Sequence, residues 1–101
     1  MTAMTIAEFQ RKIEEIYFAR DKARGMAGTF QWFVEEVGEL AQALRGADKE
    51  RMRSEFADAL AWLSTLASLA GVDLEAAAVE KYGSGCPKCG RALCGCQSEK
   101  P

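Results

Sequence analysis

The sequence predicts an all-α protein, organised as a bundle of four helices followed by a short cysteine-rich tail. Apolar residues recur at intervals of three and four along the first three helical segments, as they do on the buried face of an amphipathic helix. Side chains that favour helix N-caps precede all four segments. No segment alternates between apolar and polar residues in the manner of a strand. The 101 residues therefore divide into a helical domain, 1–83, and a tail, 84–101.

The first helix is predicted to run from Thr5 to about Arg24. Thr5 and Glu8 match the capping box, in which the threonine side chain accepts a hydrogen bond from the third amide and the glutamate reaches back. Apolar residues follow at helical spacing, and they are Ile6, Phe9, Ile13, Ile16 and Tyr17. This stripe is expected to face the core.

A short loop is predicted after the first helix, because Gly25 and Gly28 stand close together. Thr29 is then expected to cap a second helix, which Gly46 ends. Gly38 lies inside this helix, where a glycine costs up to about 1 kcal/mol relative to alanine. It is either a point where another helix or a ligand comes close, or a tolerated glycine without a role.

Aspartates are expected to cap the two remaining helices. Asp48 begins a third helix that runs to about Ala70, where Gly71 ends it. Asp73 begins a short fourth helix that continues through Tyr82. Helices of this size provide a thin core, so the protein is expected to self-associate as a dimer or a tetramer.

Two acidic pairs lie in the second and third helices. Glu36 and Glu39 are three residues apart, as are Glu55 and Asp58, so each pair lies along one edge of its helix, with Glu35 on the far side. Apolar stripes flank these edges, namely Phe33, Val37, Leu40 and Leu44 in the second helix and Phe56, Leu60, Leu63 and Ala67 in the third. If the stripes pack together, four carboxylates converge, and their mutual repulsion then requires a cation.

Magnesium is the cation expected at such a cluster, because hard divalent ions prefer oxygen ligands and keep positions open for water and phosphates. The chain contains no histidine, so a metal site in the helical domain must use oxygen. The alternative is that the acids are ordinary solvated charges on helix surfaces. The presence of Trp32 and Trp62 on the same two edges favours a site over that alternative.

The residues from Phe33 to Leu40, FVEEVGEL, and from Glu55 to Trp62, EFADALAW, resemble the paired E-x-x-E and E-x-x-D motifs of MazG-like nucleotide pyrophosphohydrolases. That family belongs to the all-α NTP pyrophosphatase superfamily. The similarity continues through 17–25 and 80–82, and it covers about four fifths of the chain. The fold that the resemblance implies is an oligomeric, MazG-like four-helix bundle.

The resemblance also implies an activity, the hydrolysis of nucleoside or deoxynucleoside triphosphates to the monophosphate and pyrophosphate. Mg²⁺, or Mn²⁺ in its place, would be bound by the catalytic acids, which are Glu36, Glu39, Glu55 and Asp58. Arg24 and Lys81 match basic positions of the resembling segments, where they either contact phosphate or are solvated surface charges. Trp32 and Trp62 either stack on the base or pack in the core or between subunits.

Two other kinds of function remain open. Phosphoribosyl-ATP pyrophosphohydrolases of histidine biosynthesis and dimeric dUTPases use related acidic helix pairs, and substrate choice depends on a pocket shape that the sequence does not give. A non-catalytic helical adaptor, whose tail docks a partner, is the third hypothesis. All four motif acids are present, which counts against the adaptor.

All four cysteines lie in the tail. Cys86-Pro-Lys-Cys89-Gly resembles a zinc knuckle, and Cys94 and Cys96 would complete a four-cysteine site. The second pair is C-x-C and follows after only four residues, whereas a typical zinc motif has two well-separated C-x-x-C pairs. Structural zinc, an inter-subunit or unoccupied thiol cluster, and disulfides are the three alternatives.

Composition excludes several classes of partner. The net charge of −2 and the pI near 5.2 provide no basic surface for a nucleic acid polymer. No apolar run approaches the roughly 20 residues of a membrane span, and the N-terminus lacks a signal-peptide pattern. A cytoplasmic location is expected, and this expectation disfavours disulfides.

Overall fold

The computed structural model describes residues 3–97, which form three α-helices and an irregular tail without a strand. The helices are α1, Ile6–Arg45, α2, Lys49–Leu69, and α3, Leu74–Tyr82. α1 packs against α2, and α3 also contacts α1. No single helix in this range is long and apolar enough to cross a membrane. Taken together, α2 and α3 pass the same test of length and composition, but the pair is bent by 95°. The all-α prediction is confirmed, but residues 3–97 form three helices where four were predicted.

The difference in helix number arises at Gly25. The first two predicted helices form one helix, α1, which is kinked where Gly25 adopts φ 81° and ψ 177°. Only glycine adopts this conformation readily. Thr29 does not act as an N-cap, and its hydroxyl instead donates to the carbonyl of Gly25 at 2.7 Å. Gly25 alone thus changes the direction of the chain where a short loop was predicted.

The other predicted caps are present. The Thr5 hydroxyl accepts from the Glu8 amide at 3.0 Å, and the Glu8 carboxylate accepts from the Thr5 amide at 2.8 Å, which completes the capping box. Asp48 accepts from the Glu50 amide at 3.0 Å at the start of α2, and Asp73 caps α3 in a similar way. These bonds fix the bounds of the helices close to the predicted ones.

A buried glutamine fixes the corner between α2 and α3 against α1. Gln10 Nε2 donates to the Val72 carbonyl at 2.8 Å and to the Ser68 hydroxyl at 3.1 Å. Its Oε1 accepts from the amide of Leu74 at 2.9 Å. Gln10 thus pairs the Val72 carbonyl and the Leu74 amide, two backbone groups that the turn between α2 and α3 would otherwise leave unpaired.

The packed faces match the predicted apolar stripes only in part, since Ile13 of the first stripe and Ala67 of the third are buried. Between Gly25 and Arg45 the buried residues of α1 are Thr29, Glu36 and Ala43, and the buried residues of α2 are Ser64, Thr65 and Ala67. Larger residues of the predicted stripes remain exposed, including Val37, Leu44 and Phe56 at 46%, 51% and 54%. Small side chains let the two helices approach closely, so the larger side chains lie outside the contact. This leaves an apolar surface uncovered.

Candidate functional site

Three of the four predicted acids converge between α1 and α2. One carboxylate oxygen from each of Glu36, Glu39 and Glu55 lies within 4.8 Å of the other two. The spacing of three residues places Glu36 and Glu39 on one edge of α1, and the packing of the helices brings Glu55 of α2 to that edge. Glu36 is 5% exposed, whereas Glu39 is exposed and Glu55 half-buried. The cluster is therefore buried at Glu36 and open to solvent at Glu39.

Burial raises the pKa of Glu36 to about 8, and hydrogen bonds to Glu55 and Glu39 contribute to the same shift. The Glu36 Oε2 atom is buried without a hydrogen-bond partner among the described residues. The ion pairs seen in this part of the chain are Lys12–Glu15 and Arg24–Asp21, and neither includes an acid of the cluster. An oxygen-only donor set with an orphaned, buried carboxylate oxygen fits a hard divalent cation.

Asp58 lies beside the cluster rather than within the group of three oxygens. Its pKa is raised, mainly by burial and further by the negative charges of Glu55 and Glu39. The same residue lines a cavity of about 270 Å³ on the adjoining surface. Asp58 thus connects the acids to this cavity.

The cavity combines cationic, acidic and aromatic side chains. Those that matter for ligand chemistry are Tyr17, Arg20, Asp21, Arg24, Asp58 and Trp62. A cavity of this kind, next to a cluster of carboxylates, suits a ligand that has both an anionic part and a flat apolar part.

Arg24 is held firmly at the cavity wall. Its Nη1 and Nη2 atoms donate to Asp21 Oδ1 at 3.1 and 3.0 Å, and Nη1 also lies 3.3 Å from the Thr29 hydroxyl. The hydroxyl of Thr65 donates to the other oxygen of Asp21 at 3.3 Å, which ties α1 to α2. The guanidinium carbon lies 4.9 Å from the centroid of the Trp62 ring. Arg24 is therefore oriented by an ion pair and an aromatic ring.

The two tryptophans contact each other. Their ring centroids are 6.2 Å apart and the rings are inclined by 14°. Trp32 remains 51% exposed despite this stacking. An exposed indole beside the acidic cluster provides an apolar surface for a planar group.

Lys81 lies on α3, where its Nζ is 5.7 Å from the centroid of the Tyr82 ring. It does not line the cavity. Asp21, which orients Arg24, was missed by sequence reasoning. The signal was available, because an acid three residues before an arginine on a helix is a typical ion-pair spacing.

The tail forms a second cluster, made of the four cysteines. Their sulfurs all lie within 4.8 Å of one another, and Cys86 Sγ and Cys96 Sγ are 3.8 Å apart. All four are free thiols. Backbone amides of Cys89 and Lys88 lower the pKa of Cys86 to about 6, whereas the neighbouring thiols raise the pKa of Cys96 to about 12.

Comparison with known proteins supports the nucleotide interpretation of the acidic site. A sequence model of the family described as MazG nucleotide pyrophosphohydrolase domain matches residues 24–90, about two thirds of the chain. The matched range contains all four acids, Arg24 and both tryptophans, and it ends inside the cysteine tail. A search of curated proteins finds no significant match.

Proposed function

This chain belongs to the MazG nucleotide pyrophosphohydrolase domain family, and we propose that it hydrolyses nucleoside or deoxynucleoside triphosphates to the monophosphate and pyrophosphate. The observation that carries this proposal is the convergence of Glu36, Glu39 and Glu55, where the buried Oε2 of Glu36 has no hydrogen-bond partner in the described part of the chain. With all three acids charged, such an arrangement is unfavourable unless a cation is bound. A nucleoside triphosphate is a ligand that binds together with a divalent cation.

Magnesium is the cation that we propose for the acids, with Mn²⁺ as a substitute. Glu36, Glu39 and Glu55 would hold it, together with Asp58 at the edge of the cluster. When bound, the ion supplies charge stabilisation at the phosphate oxygens and lowers the pKa of a coordinated water. The thiols of the tail take no part, because soft thiolates and hard carboxylates select different ions.

The cavity residues are proposed to orient the substrate. Arg24 presents a guanidinium that Asp21 and Trp62 already hold in place, so little side-chain freedom is lost when phosphate binds. Trp32 offers its exposed ring to the base. Asp58 lies between the acids and this cavity, so the triphosphate would extend from Arg24 towards the cluster. Lys81 would contact phosphate only if the C-terminal end of α3 approached the site.

We also propose that the protein is a homo-oligomer, a dimer or a tetramer. The core of the single chain is small, since the buried apolar residues among those described are Ile13, Ala43 and Ala67. Val37, Leu44 and Phe56 lie exposed outside the α1–α2 contact. A second copy would cover this surface and add the apolar burial that a chain of this length lacks.

The test of the proposed reaction is pyrophosphate release from a panel of substrates. The purified protein is incubated with Mg²⁺ and each common NTP and dNTP, including dUTP, and with phosphoribosyl-ATP. We expect Mg²⁺-dependent release of pyrophosphate and monophosphate in equal amounts from at least one nucleoside triphosphate. Turnover of phosphoribosyl-ATP or dUTP alone would reassign the substrate within the superfamily. Metal binding without turnover of any compound would favour a non-catalytic adaptor and contradict the proposal.

A further inference from the structure

The part of the tail that the structure describes, residues 84–97, is folded without an apolar core. Leu93 is its largest apolar side chain and is 86% exposed. The backbone nevertheless makes a defined turn, in which the Gly90 amide donates to the Cys86 carbonyl at 2.7 Å and the Cys86 amide donates to the Arg91 carbonyl at 2.9 Å. A segment this short, with no buried apolar side chain, needs another source of stability.

The arrangement of the four cysteine sulfurs indicates what stabilises this segment. We propose that Cys86, Cys89, Cys94 and Cys96 bind one structural zinc ion per chain. Four thiolates at about 2.3 Å from a central zinc in tetrahedral arrangement are about 3.8 Å from one another. The distance between Cys86 Sγ and Cys96 Sγ is 3.8 Å, and all four sulfurs lie within 4.8 Å of each other.

The backbone around the sulfurs fits the same ion. The Gly95 amide points at Cys89 Sγ at 3.5 Å, and the Cys96 amide points at Cys94 Sγ at 3.3 Å. Amide donors of this kind orient thiolate ligands and disperse their negative charge. Gly90 follows the first cysteine pair with φ 74°, a left-handed conformation that brings the chain back towards the sulfurs.

The ligand set also indicates the role of the ion. Four protein ligands close a tetrahedral site and leave no position for water or substrate, as in structural rather than catalytic zinc sites. Binding displaces the thiol protons to solvent and links the two halves of the tail, so the ion would fold this segment. Gly95 leaves room for the side chain of Arg91, since a Cβ atom at Gly95 would contact the Arg91 guanidinium.

The first test is elemental analysis of the full chain, purified without added metal, combined with thiol titration. We expect one zinc per chain and four thiols that react only after the zinc is chelated. Absence of metal with four freely reacting thiols would overturn the proposal, and so would two disulfides. One iron per chain in place of zinc would also overturn it, since the assignment is to zinc.

The second test uses cobalt and trypsin, so that it does not depend on how the protein was purified. The metal-free protein titrated with Co²⁺ should develop the visible absorption of tetrahedral thiolate coordination and reach its end point at one ion per chain. Zinc should protect the bonds after Lys88 and Arg91 from trypsin. Cys89→Ser and Cys94→Ser should lose both effects and keep the far-UV circular dichroism of the helices, whereas Ser84→Ala should retain both effects. Equal proteolysis of the zinc-loaded and metal-free protein would contradict the proposal.

Discussion

The indole rings of Trp32 and Trp62 stack with their centroids 6.2 Å apart and an inclination of 14°. One ring comes from α1 and the other from α2, so the pair joins the two helices that carry the acids. Trp32 lies one helical turn before Glu36, and Trp62 lies one turn after Asp58. Arg24 is 4.9 Å from the centroid of Trp62. The aromatic pair and the guanidinium therefore form one side of the proposed nucleotide site.

Replacing the exposed ring should weaken nucleotide binding. Trp32→Ala is expected to raise KM by about tenfold with little change in kcat, because stacking of a base on an aromatic ring contributes about 1–3 kcal/mol. Trp32→Phe keeps an aromatic surface and should fall between this variant and the wild type. Steady-state pyrophosphate release gives both parameters. An unchanged KM accompanied by dissociation of the oligomer in sedimentation would instead assign Trp32 to subunit packing.

The raised pKa of Glu36 predicts a pH dependence for the metal-free protein. Its pKa is about 8 in the folded chain, against 4.5 for the ordinary carboxyl, so the folded state holds this proton more tightly than the unfolded state. The stabilisation from this proton is fully present below about pH 4.5 and is lost as the pH rises through about 8. Relative to Glu36→Gln, the wild type should therefore become less stable across this range.

Urea unfolding in EDTA, at several pH values for both proteins, measures this difference. A constant difference between the wild type and Glu36→Gln would contradict the assignment of the raised pKa. Added Mg²⁺ provides an independent check on the wild type. Since the ion requires the deprotonated carboxylate, its apparent affinity should rise with pH up to about 8.

The exposed apolar surface predicts a second copy of the chain. Leu44→Glu places a charge on that surface and should lower the mass seen in analytical ultracentrifugation to that of a smaller assembly. Gln42→Glu adds the same charge on the same helix at an exposed polar residue, and it should leave the mass unchanged. A wild-type protein that sediments as a fully active monomer at micromolar concentration would refute the oligomer.

Local chemistry explains which parts of the fold the sequence predicted. The caps at Thr5, Asp48 and Asp73 depend on hydrogen bonds within three residues, so their residue types are sufficient to place them. The kink at Gly25 is different, because glycines predict a break but do not distinguish a loop from a single non-helical residue. The single-residue kink depends on the hydrogen bond that the Thr29 hydroxyl donates to the Gly25 carbonyl. The neighbouring Arg24 is held by contacts across two helices.

Packing explains what the sequence did not predict. Periodicity identifies residues that share a face, but it does not decide which of two adjacent faces meets the neighbouring helix. The face with Ala43 is buried against α2, so Val37 and Leu44 are exposed and Glu36 is buried. Among residues 3–97 no other part of the chain comes close to Gly38, since a Cβ there would meet nothing within 4 Å. The predicted acidic edges of the two helices account for the convergence of Glu36, Glu39 and Glu55. The burial of Glu36 is visible only in the structure.

The most direct test of the central claim is pyrophosphate release by single amide variants of the acids. Glu36→Gln, Glu39→Gln, Glu55→Gln and Asp58→Asn keep the side-chain shape and remove the charge that would hold Mg²⁺. Each is expected to lower kcat/KM by about a hundredfold or more while the thermal unfolding of the metal-free protein stays the same or shifts upwards. Glu35→Gln is the matched control, an exposed acid next to Glu36 that lies outside the cluster, and it should be nearly silent. If Glu35→Gln is as damaging as Glu36→Gln, or if all five variants retain full activity, the acidic cluster is not the catalytic metal site.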